Sequence, residues 1–335
     1  MILVTGGTGL VGAHLLYRLV SENKKVRAIY RNERKIENTK SVFSYYTENY
    51  NTLFNAIEWI QADLLDVPAL SEAFIGVTKV YHCAAFVSFE PDKYHLLRKT
   101  NIEGTANIVN FCVSNNIEKL CYVSSIATLG NTLNNEYISE ETNWNPEDDN
   151  SVYAITKYGA EMEVWRGTQE GLDAVIVNPG VILGAGIWRY GTGNLFKKAH
   201  KGLKYYTSGS VGLVSVDDVV SVMTRLMDSD IRNERFVLVA ENWTYKDFLQ
   251  ALAKAVHAKW PKKLANSSLL NIAWKLDWLQ HKITGKRRQL TKQIAKSLTT
   301  ETHYSSDKIK TALNYKFKAV DKTIAAIGNY YLNRK

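Results

Sequence analysis

Along the first half of the chain, apolar residues fall into short, nearly continuous runs separated by stretches of helical period. The runs cover residues 1–5, 25–30, 57–62, 79–82, 119–124 and 174–178. Val80-Tyr81-His82 and Leu120-Cys121-Tyr122-Val123 have almost no polar break, as expected of strands covered on both faces. Helical patterns occupy 9–22, 69–74, 97–115 and 152–169 between them. Such alternation predicts βαβ units and an α/β fold, a Rossmann-type doubly wound parallel sheet. Beyond Pro179 the rhythm loosens. Residues 184–194 are glycine-rich and predict a mobile loop, a helix begins within 214–219, and 235–239 is a further strand. From Thr244 onward the pattern is mainly helical. The expected organisation is an NAD(P)-binding domain of residues 1–180, with 209–240 returning to it. Residues 181–208 and 241–335 form a smaller, mainly helical substrate lobe over the carboxyl ends of the strands.

The first predicted strand runs into Thr5-Gly6-Gly7-Thr8-Gly9-Leu10-Val11-Gly12, and a helix follows at once. Gly6, Gly9 and Gly12 in that context suit a dinucleotide. Small residues let the backbone approach a pyrophosphate, and the helix N-terminus supplies amides and positive dipole. The second strand ends at Tyr30-Arg31, nineteen residues past Gly12, with Arg34 and Lys35 following and Glu33 the one acid nearby. An Arg at this place accommodates a 2′-phosphate, which favours NADP(H), with NAD(H) the alternative. Asp63, after the third strand, reads equally well as a helix cap.

Tyr153-Ala154-Ile155-Thr156-Lys157 puts a phenol and an ammonium on one helix face. There the Lys can lower the phenol's pKa and make it a proton donor or acceptor near neutrality. A second match, Tyr304-Ser305-Ser306-Asp307-Lys308, lies far from any cofactor motif and reads as a pair of surface residues.

At 335 residues, with 45% hydrophobic and 22% charged residues, the chain has a globular composition and length enough for a substantial core. No apolar run reaches membrane-spanning length, and Met1-Ile2-Leu3-Val4 reads as a strand, not a leader. Cys83, Cys112 and Cys121 form no CxxC pair and sit in apolar segments, the pattern of buried thiols in a reducing cytoplasm. The seven histidines form no metal motif, so no metal is expected. The net charge of +9 suits anionic ligands. Much of the excess falls in the segment 262–296, which reads as a solvated helical face, with a functional anion or membrane-surface patch the alternative. No nucleic-acid-binding signature accompanies it.

These motifs, with Ala62-Asp63-Leu64, His82-Cys83-Ala84-Ala85, Asn101-Ile102-Glu103-Gly104-Thr105, Val123-Ser124-Ser125 and Asn178-Pro179-Gly180, resemble the extended short-chain dehydrogenase/reductases, the NAD-dependent epimerase/dehydratase superfamily. The resemblance covers about residues 1–240. It implies that Tyr153 is the general acid/base, that Lys157 tunes it and bonds the nicotinamide ribose, and that Ser125 holds the substrate oxygen. It further implies that Thr8, Leu10 and Val11 lie in the cofactor turn and that Asp63 and Leu64 flank the adenine. Ala84, Ala85, Asn101, Ser124, Pro179 and Val181 follow along the cofactor. The dihydroflavonol-reductase and 3β-hydroxysteroid-dehydrogenase branch is the nearest in pattern, through Tyr30-Arg31 and Asn178-Pro179. Ile126 and Ala127 after Ser125 speak against a 4,6-dehydratase. The expected small-molecule substrate is a ketone, aldehyde or secondary alcohol on an apolar or aromatic body. Phe86, Ser88, Arg189 and Tyr190 are the candidate contacts. The alternatives are a nucleotide-sugar epimerase and a non-catalytic NADP-sensing or assembly protein. The family also implies a homodimer through residues 97–115 and 152–169.

Overall fold

The computed structural model describes residues 1–132, 136–286 and 288–334, so Arg287 of the basic segment and part of the 131–150 loop lie outside the described residues. The strands in chain order are β1 (Ile2–Thr5), β2 (Val26–Tyr30), β3 (Ile57–Gln61), β4 (Lys79–His82), β5 (Lys119–Val123) and β6 (Ala174–Pro179). They are followed by β7 (Val181–Leu183), β8 (Tyr205–Tyr206), β9 (Ser210–Ser215), β10 (Glu234–Leu238), β11 (Glu241–Thr244) and β12 (Lys263–Leu264). The helices of the first half are α1 (Leu10–Ser21), α2 (Ile36–Tyr46), α3 (Asn51–Asn55), α4 (Val67–Ala73), α5 (Tyr94–Arg98), α6 (Gly104–Ser114) and α7 (Val152–Gln169). Those of the second half are α8 (Gly191–His200), α9 (Val216–Met227), α10 (Tyr245–Ala255), α11 (Ser267–Thr284), α12 (Lys292–Ser297), α13 (Asp307–Leu313) and α14 (Val320–Asn333).

Seven strands form the central sheet in the order β10-β6-β5-β4-β1-β2-β3, every pair parallel. The chain winds outward from β1 to β3 and then returns to place β4 against β1. The direction of winding therefore reverses between β1 and β4, which opens a crevice at their carboxyl ends. Successive residues supply opposite faces: Val4 and Cys121 join one buried cluster, whereas Leu3, Leu120 and Tyr122 join the other. Both faces are thus covered by helices, which is why the strand sequences lack polar alternation. A smaller sheet, β11-β9-β7, and the helices α8, α10 and α14 share a third apolar cluster.

Several local expectations need correction. The helix expected over 97–115 is interrupted by a wide π-turn at Lys99–Glu103. The segment between β2 and β3 holds α2 and α3, whose mixed polar and aromatic composition conceals a helical period. The supposed mobile loop at 184–194 is partly ordered structure: α8 begins at Gly191, and Gly186 (φ +95°) lies tightly against Val42. β9 runs on through Ser215, which caps α9 by accepting from the Asp217 amide. Tyr304 and Lys308 are not surface residues. Tyr304 packs against the cluster of Leu129, Ile138, Val237 and Val239, and Lys308 pairs with Glu234 at 2.9 Å over the Phe236 ring. They are held inward because the chain before α13 hydrogen-bonds to Ile138 and to Asn242.

Candidate active site

The turn after β1 is dictated by two close approaches. Gly6 has φ +69°, and a Cβ there would stand 2.6 Å from the Ala84 amide nitrogen. A Cβ on Gly12 would run into the Gly6 carbonyl. Gly9 is less crowded and caps α1 without any side-chain acceptor at the helix start. The first-turn amides and the positive end of the helix dipole are thereby left to a ligand. They meet a cleft of about 240 Å³, walled by Gly6, Thr8 and Gly9 on one side and by Ala84, Ala85 and Phe86 on the other. The donor-rich turn and the small residues walling the cleft fit a dinucleotide. Leu10 and Val11 pack their side chains into apolar clusters, so only their backbone can serve it.

A buried chain braces this turn. The Thr5 hydroxyl donates to His82 Nδ1 at 2.6 Å and accepts from the Ala84 amide at 3.2 Å. His82 Nε2 donates to the Thr105 hydroxyl at 3.0 Å. Burial drives the His82 pKa down to about 3, with the Lys157 charge a smaller cause, so the ring stays neutral and the bonds are permanent at physiological pH. Asn101, projecting from the π-turn, accepts from the Phe86 amide at 2.8 Å and donates to the Phe86 carbonyl at 3.0 Å. It also donates to the Thr156 hydroxyl. Its amide is fully engaged in holding the cleft wall against α7, so its part is to position the wall.

At the far end of the cleft stand Tyr30, Arg31, Asn32 and Lys35, with Leu64 and Asp63 opposite. Arg31 lies 3.5 Å from the Asp63 carboxylate. Asp63 is the one carboxylate among the described lining residues, and it also accepts from the Leu65 amide. Tyr190 closes over the cleft, its hydroxyl held by Asn38 at 2.9 Å. Phe86 and Tyr190, expected at the substrate, thus line the cofactor cleft. Ser88 is turned inward onto Glu90, because its hydroxyl is buried, and Arg189 stands exposed in solvent.

On α7, capped by Ser151, the residues Tyr153, Lys157 and Glu161 stand one above another at one-turn intervals. The Tyr153 phenol is hydrogen-bonded to Ser125. Burial raises its pKa, and the Ser125 bond pulls it partly back. Lys157 Nζ donates to the Tyr122 hydroxyl at 2.6 Å and the Val123 carbonyl at 2.9 Å. Burial brings the Lys157 pKa down to about 7, opposed by the Glu161 and Cys83 charges. Ser125 follows β5 and accepts from the Ala127 amide at 3.1 Å, which opens a single 3₁₀ turn.

Glu161 escapes a reading by motif. Its fully buried carboxylate accepts from Ser124 (2.5 Å), Thr128 (2.8 Å), Asn178 (2.9 Å) and Arg235 (3.1 Å). Ser124 therefore points into this network and not toward the cofactor. Asn178 also donates to the Ser125 carbonyl at 3.2 Å, which ties the network to the turn that carries Ser125. The readable signal is the third charged residue of the Tyr153, Lys157, Glu161 stack, on a helix otherwise packed against the sheet. A second cavity of about 330 Å³ is lined by Ala127, Gly130, Ala154, Val181, Tyr245 and Tyr304 among others; its lining includes chain neighbours of Ser125 and Tyr153 but not those two themselves. Val181 faces this cavity, whereas Pro179 is buried at the end of β6.

Sheet order, phosphate turn and hydroxyl–phenol–ammonium set together define an NAD(P)-dependent enzyme of the extended short-chain dehydrogenase/reductase type. The chain belongs to the NAD dependent epimerase/dehydratase family, whose sequence profile matches residues 2–239. It is 30% identical over 256 residues to sterol demethylase protein B of Methylococcus capsulatus, covering 75% of this chain and 73% of that one. It is 28% identical over 251 residues to tetraketide alpha-pyrone reductase 2 of Arabidopsis thaliana, covering 70% and 76%. The solved UDP-glucose 4-epimerase of Thermus thermophilus, in complex with NAD, shares the fold with a TM-score of 0.74 at 19% identity, over 100% of this chain and 99% of that one.

Proposed function

We propose that this protein is an NADP(H)-dependent oxidoreductase that reduces a ketone or aldehyde, or oxidises a secondary alcohol, on an apolar or aromatic body. The observation that carries the proposal is the hydrogen-bonded Ser125–Tyr153 pair, together with the cleft at the phosphate turn and a cavity lined by the neighbouring Ile126, Ala127 and Ala154. The bound cofactor supplies or accepts the hydride. Ser125 holds the substrate oxygen, and Tyr153 gives it a proton in reduction and takes one back in oxidation. The Lys157 ammonium, released from Tyr122, bonds the nicotinamide ribose and stabilises the phenolate left behind. Residues 181–208 and 241–335 serve as the substrate lobe, through Val181, Tyr245 and Tyr304. The kinship with a named reductase supports hydride transfer as the net reaction.

The cofactor preference rests on Arg31 and Lys35 at the ribose end, where the one lining carboxylate, Asp63, faces Arg31. Michaelis constants for the two cofactors test it: NADPH should be favoured by about tenfold or more, and Arg31→Ser should erase most of that margin. A tenfold preference for NADH would sink the assignment. Tyr153→Phe should keep NADPH affinity while turnover with aromatic ketones falls by about two to four orders of magnitude. Turnover near the parent's would remove Tyr153 from the mechanism.

A further inference from the structure

The helix α11 is turned the wrong way for a core element. Only Leu270 is fully buried, against Ala265 and Ala295, with Trp274 half-buried beside it. Its opposite face carries Leu269, Ile272, Leu276, Leu279 and Ile283 at alternating spacings of three and four, which makes one continuous stripe. These five side chains are 39% to 75% exposed, and Ile283 is the most exposed of them. Lys275 and Lys282 each precede a stripe residue and so run along one margin of it. Trp278 on α11 and Trp260 and Leu264 on the approach to it are about half exposed as well.

We propose that this face docks the protein onto an anionic membrane surface, with α11 lying in the interfacial plane. Charge decides the occupant. From Lys259 to Lys286 the chain has six lysines (259, 262, 263, 275, 282 and 286) and a single carboxylate, Asp277. Asp277 is turned inward, where it accepts from the Gln289 and Leu290 amides and faces Arg288. A second copy pairing stripe to stripe would therefore bring lysines together with no acid to meet them. Anionic headgroups supply the missing charge, lysine stems reach out from the margin of an immersed stripe, and tryptophans favour the headgroup boundary. Among the described residues no helix is long and apolar enough to cross a bilayer, so α11 lies on the membrane and does not span it. α11 leans on α12, whose Gln293, Lys296 and Ser297 line the cavity beside Ser125. Docking would thus hold that cavity near the bilayer, although the docking itself does not depend on the reaction proposed above.

The test is co-sedimentation of the full chain with vesicles of phosphatidylcholine alone and of an equimolar mixture with phosphatidylglycerol. The parent chain should bind the anionic vesicles, and added salt should weaken the binding. The triple variant Ile272→Ser/Leu276→Ser/Leu279→Ser should partition roughly a thousandfold less, because each immersed aliphatic side chain is worth about tenfold or more. Lys275→Glu/Lys282→Glu should lose the preference for anionic over neutral vesicles. NADPH affinity, read in the same variants, reports that they fold. No vesicle binding by the parent at low salt would overturn the proposal. So would full binding by the stripe variant, or a dimer in solution that the stripe variant dissociates.

Discussion

Glu161→Gln is the perturbation that separates a positioning network from mere packing. In the native chain four donors converge on two carboxylate oxygens: Ser124, Thr128 and Asn178 on one, Arg235 on the other. A glutamine has one acceptor oxygen, so its amide nitrogen must face either the three neutral donors or the guanidinium. Facing Arg235 costs least, since that side chain keeps 18% exposure and two further bonds to the Glu140 carbonyl. Removing one partner of a buried ion pair costs about 3–5 kcal/mol, and the residual solvation of Arg235 argues for the lower end, about 3 kcal/mol. For a chain of this size that corresponds to a fall in Tm of roughly 4 °C. The same change removes the charge that raises the Lys157 pKa. If the protonated Lys157 carries the reductive direction, kcat/KM should fall as pH rises through about 7, and in the variant that break should move to lower pH. Calorimetry and a pH–rate profile on the same preparation read both effects. An unchanged Tm together with an unmoved break would refute the network as described.

Two further outcomes follow from the same geometry. Lys157 has a folded pKa of about 7, below its ordinary 10.5, chiefly through burial, so between those values the unfolded chain holds the extra proton. Its contribution to stability therefore improves as pH rises across that window, and the buried ammonium costs most below it. Lys157→Met should accordingly abolish turnover, and its effect on stability should be more favourable at pH 6, where the parent buries an ammonium, than at pH 9; thermal melts at the two pH values decide it. Asn101→Ala strands the Phe86 amide and carbonyl, which should cost about 1–3 kcal/mol and raise the KM for NADPH more than it lowers kcat. A pure kcat effect would contradict a wall-positioning role.

What the sequence discloses depends on whether a residue's partner is near it in the chain. The phosphate turn is legible because its constraints are local: Gly6 and Gly12 answer to a single βα turn. The parallel sheet is legible because strands covered on both faces carry no polar alternation, whereas the order of its strands is not. Lys157 shows the limit. Helical spacing places it on the face of Tyr153, but the partners that hold its Nζ, Tyr122 and Val123, lie more than thirty residues away, and no spacing encodes them. Ser124 and Ser125 are likewise equivalent as neighbours in a strand end. The pleat sends one toward Glu161 and leaves the other at Tyr153, and only the position of α7 decides which. Ser88 and Tyr190 both depart from the substrate positions expected of them for the same reason, since the anchors Glu90 and Asn38 fix them through contacts no spacing encodes.

α11 is the sharpest instance, because its sequence fits two amphipathic helices at once. Leu270, Trp274, Asp277 and His281 share one face, while Leu269, Ile272, Leu276, Leu279 and Ile283 share another, and helical period accommodates both. Hydrophobicity alone would bury the aliphatic stripe and expose the face bearing a carboxylate and an imidazole. The fold does the reverse. The Asp277 carboxylate is needed inward, to accept the amides that follow Arg288, and His281 Nδ1 is bonded to the Lys286 carbonyl. Turning the helix over would leave those amides without their acceptor and bury lysines beside the cluster of Ala265, Leu270 and Ala295. The polar requirements of a short loop thus outweigh the burial of five aliphatic side chains, a balance that is reasonable only if those side chains find an apolar phase elsewhere.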